Sequence, residues 1–208
     1  SNPSPSAIKI KCPFGHFLFN LQIYCDIIIC TMIISKDNFY RWAYNDLMMN
    51  NQRGHLAEFI VASALGITDN VRDEWAPYDL EYKNIKLEIK SAAYLQSWHR
   101  NPNAKIKESK IIFGIAPTCD YDMVTEQRIY GKKSRQADAY VFCLLNHRDI
   151  NTVNPTDTDQ WVFWVVPTKQ INELCKNNKT LSIGVLMRNF GTPITFDNLK
   201  TYIDAVQI

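Results

Sequence analysis

Between residues 78 and 91 the chain alternates apolar and charged positions with a period of two. Tyr78, Leu80 and Tyr82 interleave with Asp79 and Glu81, and Ile85, Leu87 and Ile89 interleave with Lys86, Glu88 and Lys90. Alternation of this kind marks half-buried strands, and Lys83-Asn84 between the two runs suits a two-residue turn. The pattern predicts a hairpin in which Tyr82 faces Ile85, Glu81 faces Lys86, Leu80 faces Leu87 and Asp79 faces Glu88. Helical periodicity appears elsewhere. Ser35 is an N-cap for a helix over 36–49, with Phe39, Trp42, Ala43 and Leu47 on one face. A second helix over 52–65 ends at Gly66. Apolar runs predict further strands at 111–116, 139–145 and 161–166, then a short helix capped by Thr168 and a last one from Thr195 with Phe196, Leu199, Tyr202 and Ile203 on one side. Residues 96–109 read as loop and 118–137 as a polar, basic connection. Helices mixed with strands, without repeats or linkers, indicate one α/β domain with a mixed sheet.

The segment 1–31 departs from this pattern and reads as an N-terminal extension, an arm or edge strand appended to a single domain over 32–208. Its apolar run from Phe17 to Ile34 is broken by Asn20, Gln22 and Asp26. A membrane-spanning helix wants ~20 predominantly apolar residues, and Asp26 at its centre is costly, so no membrane partner is expected.

Composition narrows the classes further. The 208 residues are 46% hydrophobic and 21% charged, with a net charge of +2, which excludes a disordered chain and a polycation. Nucleic-acid binding would have to come from local clusters. The six cysteines, at 12, 25, 30, 119, 143 and 175, include no pair at zinc-ribbon or redox spacing. Cys143, in an apolar run, reads as a buried reduced thiol, which points to a reducing, cytoplasmic setting.

The hairpin also carries the candidate chemistry. Directly opposed side chains lie ~4.5–5.5 Å apart, where like charges destabilise the pair. Asp79 against Glu88 is tolerated if a cation lies between them or if one is protonated. Two carboxylates and the Ile89 carbonyl are hard oxygen donors that suit Mg²⁺, with Mn²⁺ as a substitute. Lys90, two positions along on the same face, could orient a water or neutralise charge developing on a phosphate. Glu58 sits beside small and apolar helical neighbours, Gly54, Val61, Ala62 and Leu65. Such a carboxylate needs a partner. If its helix packs on the hairpin it joins the same metal site, directly or through water; bonded to Arg53 or His55 it would be purely structural. Glu-x-Lys occurs three times, at 81–83, 88–90 and 108–110, and only the middle copy has an acidic partner strand and a helix glutamate.

An Asp and a Glu-x-Lys on a hairpin, preceded by a helix glutamate, resemble the PD-(D/E)xK nuclease superfamily with its restriction-endonuclease-like fold. The matching residues are Asp79, Glu88-Ile89-Lys90 and Glu58, with the proline displaced to Pro77. Arg53-Gly54 through Glu58, and the run from Glu88 to Trp98, also look like a group of bacterial restriction-endonuclease-like proteins. The resemblance covers about residues 52–146. It implies an αβββαβ core, a mixed central sheet flanked by helices, and Mg²⁺-dependent DNA endonuclease activity leaving a 5′-phosphate, in restriction, defence or repair. In that reading Asp79, Glu88, the Ile89 carbonyl and Glu58 hold the metal, and Asp79, Glu88, Lys90 and Glu58 are catalytic. Relatives of this type often cut as homodimers. The superfamily expects a crossover helix in 118–137, where only a weak helical pattern stands.

Two basic clusters flank the site in sequence. Arg100, Lys105 and Lys107 belong to one, and Arg128, Lys132, Lys133 and Arg135 to the other, beside Tyr130. With Arg53 and Gln96 they are the candidate DNA contacts. Solvated charged faces would look the same in sequence. The competing functional reading is a catalytically silent nucleic-acid-binding or interaction module on the same fold.

Overall fold

The structure is a computed structural model. It describes residues 33–208 except Asn70, Pro102, 104–106, Met123, Val124, Glu126 and the last two, and leaves the side chains of Asp120, Tyr121, Arg128 and Lys132 undescribed. The expected arm at 1–31 therefore lies outside the described residues. The chain divides into units 1–35 and 36–208, and the second holds every element described below.

Helix α1 spans Lys36–Tyr44 and α2 spans Asn50–Leu65. Strands β1 (Leu80–Tyr82) and β2 (Ile85–Ala93) form the anticipated hairpin. A short β3 (Ile112–Gly114), a hairpin of β4 (Thr118–Asp122) and β5 (Gln127–Ser134), and β6 (Ala139–Leu145) follow. The chain continues through β7 (Trp161–Pro167), α3 (Thr168–Leu174), β8 (Thr180–Ser182), α4 (Ile183–Phe190) and α5 (Leu199–Asp204).

A four-stranded mixed sheet in the order β1-β2-β6-β7 organises the unit. β2 and β6 run parallel, whereas β1 and β7 pair antiparallel at the two edges. All seven residues of β6 are buried, as a central strand covered on both faces requires. Its alternate side chains enter two cores. Ala139, Val141, Cys143 and Leu145 pack with Ala57 and Val61 of α2 and with Leu199 and Ile203 of α5. Tyr140, Phe142 and Leu144 pack with Phe113, Ile171, Leu181 and Leu186, contributed by β3, α3, β8 and α4. The sheet is thus flanked by helices on both sides, and Cys143 is fully buried.

α2 follows its sequence closely. Ala57, Ile60, Val61 and Leu65 lie at three- and four-residue spacing on the buried face. Gly66 ends the helix at φ 70°, where its N–H donates to Ser63 and that of Ile67 to Ala62. α1 does not follow its sequence. It stops at Tyr44, because the Asp46 side chain and carbonyl capture the amides of Met48 and Met49 in a turn. Its aromatic face is not core: Trp42 is 84% exposed, and Phe39, Tyr40 and Tyr44 contact one another instead. Met48, beyond the helix, is the buried residue of this region.

Two expectations of the αβββαβ core need correction. The third strand, β3, pairs with β8 rather than joining the central sheet. The connection 118–137 is a hairpin, not a crossover helix. The β4–β5 register shifts after Cys119, and the extra β5 residues include Gly131 at φ 93°, which a side chain would strain. Ser182 caps α4 by accepting from the Val185 amide, and Ile183, Leu186 and Phe190 give α4 an apolar face at helical spacing that the sequence reading did not assign.

Candidate active site

The β1–β2 turn fixes the site. Lys83 and Asn84 both take positive φ, 50° and 66°, the combination a twisted two-residue hairpin needs. The ladder pairs Leu80 with Leu87, Glu81 with Lys86 and Tyr82 with Ile85, as the alternation predicts. At Asp79 the strand leaves regular pairing, so the expected opposition of Asp79 and Glu88 is not part of the ladder. The Asp79 amide donates to the Leu87 carbonyl at 3.0 Å, and its carboxylate accepts from the Ile89 amide at 2.6 Å. Asp79 is therefore pinned beside the Glu88–Ile89 step by a charge-assisted hydrogen bond.

Glu88 and Lys90 share the opposite sheet face from Leu87 and Ile89, and their side chains form an ion pair. Burial is the main reason that the Glu88 carboxyl is pushed above its ordinary range; the neighbouring charges of Asp79 and Glu58 push the same way, and Lys90 opposes them. Both side chains open into a cleft of about 260 Å³ lined also by Pro77, Gly114, Ala116, Thr118, Gln136 and Tyr140.

A carboxyl that binds its proton more tightly folded than unfolded costs stability as pH rises through the interval above its ordinary value. Glu88→Gln cannot ionise. Its melting temperature in chelator should therefore gain on that of wild type as pH rises from about 4 to about 7. A flat or opposite trend in thermal melts would refute burial as the cause.

Glu58 is 9% exposed on α2, which packs on the other face of β2. Its partner is neither Arg53 nor His55 but the Arg72 guanidinium, which reaches both carboxylate oxygens, the longer contact being 3.4 Å. Asp79 also lies within the electrostatic reach of Arg72. Sequence reasoning passed over this residue. The available signal was that Arg72 is the sole cation between α2 and the hairpin. Removing it uncovers Glu58, so Arg72→Ala should bind Mn²⁺ severalfold more tightly in calorimetry. Unchanged affinity would show that Glu58 has no part in Mn²⁺ binding.

The basic candidates divide. Arg53 is 4% and Gln96 7% exposed, and they bond to each other at 2.9 Å. Arg53 also donates to the Met48 carbonyl and the Asn50 side chain, while Gln96 donates to the Ala93 carbonyl. Their expected DNA contact is corrected to a structural latch between α2 and the segment after β2, because both side chains are buried and turned to acceptors inside the fold, although the Arg53 Nε is left without a partner. Arg135 is likewise a clamp, donating to Ile115, Cys175 and Asn178 carbonyls and to the Asn172 side chain. Arg100 pairs with Asp46 but stays half-exposed. Lys107 and Lys133 are exposed. Lys105 lies outside the described residues, and Arg128 and Lys132 are placed only as β5 positions. Of the aromatic positions after Lys90, Tyr94 carries the Arg148 guanidinium 3.9 Å from its ring centre, and Trp98 is exposed.

Compared with family models, curated proteins and solved structures, the chain has no match.

The site must accordingly be judged on its own chemistry. Among the described residues no three His, Cys, Asp or Glu side chains are grouped to hold a metal ion. What is present is a pair of carboxylates, Asp79 and Glu88, on adjoining backbone, with Glu58 near enough to raise the Glu88 carboxyl. A set of one or two carboxylates with remaining positions left to water fits Mg²⁺, which dehydrates reluctantly. It does not fit a zinc site closed by nitrogen and sulfur ligands. Among the described residues no helix is long and apolar enough to cross a membrane.

Proposed function

We propose that the chain is a Mg²⁺-dependent endonuclease acting on DNA. The observation that carries this reading is the Glu88–Lys90 pair in an open cleft, with the Asp79 carboxylate pinned to the intervening Ile89 amide. Asp79, Glu88 and the Ile89 carbonyl would hold the ion, and Glu58 would adjust its surroundings through charge. Bound there, the ion would supply Lewis-acid polarisation of a phosphate and a water of lowered pKa.

The chain's own groups do the remainder. Asp79 keeps the Glu88–Ile89 step rigid. Once the Glu88 charge is engaged elsewhere, the Lys90 ammonium is released to orient an attacking water and to offset charge developing on the phosphate. Thr118 at the start of β4 and Gln136, two residues past β5, line the cleft. Arg128, Lys132 and Lys133 on β5 would meet the DNA backbone. Burial of Arg53 and Gln96, and the hydrogen bonds that engage Arg135, leave that contact to fewer residues than the sequence offered.

The test is incubation with supercoiled plasmid, linear duplex and single-stranded DNA in Mg²⁺, in Mn²⁺ and in chelator. Metal-dependent cutting that disappears in Glu88→Ala supports the reading. Wild type that binds Mn²⁺ and DNA yet cuts none of these substrates would favour a catalytically silent binding module.

A further inference from the structure

β6 reads Ala-Tyr-Val-Phe-Cys-Leu-Leu, and Tyr140 is its one residue with a hydroxyl. Packing alone does not ask for it. The ring stacks on Phe142 at 5.9 Å between centres and joins the core of β3, α3 and α4, a role phenylalanine would fill equally well. The residue is only 4% exposed. Buried tyrosine hydroxyls ordinarily find a hydrogen-bond partner. This one makes no hydrogen bond among the described residues and is not sealed in the core, since the fully buried side-chain atoms without a partner are Gln52 Oε1 and Arg53 Nε; the side chain lines the cleft that holds Glu88 and Lys90.

Its position follows from the sheet. In the parallel β2–β6 ladder Tyr140 is the register partner of Glu88, so the two side chains project from the same face. We propose that the Tyr140 hydroxyl is a substrate-binding group of this site, donating a hydrogen bond to a non-bridging oxygen of the phosphate in a nucleotide or phosphodiester. The assignment rests on the phosphodiester reading of the cleft given above.

Three features support that ligand class. The cleft, about 260 Å³, lies below the ~300–1,000 Å³ of pockets that enclose whole drug-sized ligands, and so suits a phosphate with its sugar. Lys90, once released from its pair with Glu88, is assigned to the attacking water, so a non-bridging phosphate oxygen calls for a second donor. The packed ring holds the hydroxyl in a fixed direction, which is the economy of a preorganised donor.

The experiment is calorimetric titration of thymidine 5′-monophosphate, in the presence of Mn²⁺, into wild type and Tyr140→Phe. Phenylalanine keeps the ring and its packing. The expected result is a roughly ten- to hundredfold weaker nucleotide affinity in Tyr140→Phe, the loss of one hydrogen bond to a charged group, with Mn²⁺ affinity and melting temperature unchanged. Equal affinity in the two proteins overturns the proposal, as does wild type that does not bind the nucleotide. Plasmid cleavage separates the two claims. If wild type cuts and Tyr140→Phe binds and cuts identically, the assignment fails and the nuclease reading stands. If wild type binds the nucleotide through Tyr140 but cuts nothing, the assignment stands and the nuclease reading fails.

Discussion

Lys90→Ala should lower the rate of metal-dependent DNA cleavage by roughly 10²–10³-fold, the usual cost of deleting one preorganised group that stabilises transition-state charge. The expectation rests on place as well as on type. Lys90 is half-buried in the cleft beside Glu88, whereas Lys86, on the same strand and of the same parity, is exposed and lies over the Tyr78 ring. Lys86→Ala should therefore cut at close to the wild-type rate. Loss of Lys90 also removes the cation that opposes the upward push on the Glu88 carboxyl. The variant's Mn²⁺ affinity should consequently fall more steeply than that of wild type as pH drops toward the carboxylate range, because metal ligands must be deprotonated. The measurements are initial rates on plasmid and Mn²⁺ titrations at several pH values. Equal rates for Lys90→Ala and wild type, with both proteins folded, would sink the assignment of Lys90 to catalysis.

Arg53→Ala is the second large effect, and it falls on stability. The guanidinium is buried against the Met48 carbonyl and the side-chain oxygens of Asn50 and Gln96, with no carboxylate among its hydrogen-bond partners. Burial pulls its pKa down to about 10, so it remains charged at neutral pH. Truncation leaves those acceptors without a donor and opens a void, for a loss of about 2–4 kcal/mol. In a unit of this size that corresponds to a melting-temperature drop of roughly 5–12 °C. Arg53→Lys is the discriminating companion. A residue that met DNA through its charge would be largely rescued by lysine. A latch that uses both ends of a planar fork would not, and Arg53→Lys should melt nearly as early as Arg53→Ala. DNA affinity per folded molecule should stay constant across both variants.

These two residues show where local reading succeeds and where it stops. Lys90 was legible because its environment is set by near neighbours. A two-residue turn and a period of two determine which side chains share a face, and a slip of one residue would have exposed Leu87 and Ile89. The same local logic gave a strand at the apolar run of β6 and Gly66 at the end of α2. Arg53 carried no such information. A cation on a helix reads as surface, and what buries it is Gln96, 43 positions away. Arg135 was misread in the same manner, since its acceptors come from β3's end and the segment after α3. The aromatic stripe of α1 failed differently: periodicity guarantees a shared face but not a partner for it.

The sequence by itself determined the hairpin pairing from Leu80 to Leu87, the apolar strand at 139–145, the helix carrying Glu58 and the grouping of Glu88 with Lys90, because each follows from steric and hydrophobic rules acting within a few residues. Only the tertiary structure decided which layer covers each sheet face, that Arg72 rather than Arg53 or His55 meets Glu58, that 118–137 folds as a hairpin, and that Tyr140 faces the cleft with Glu88. Those outcomes depend on contacts between distant segments, whose favourable packing is weighed against chain entropy only when the whole domain closes.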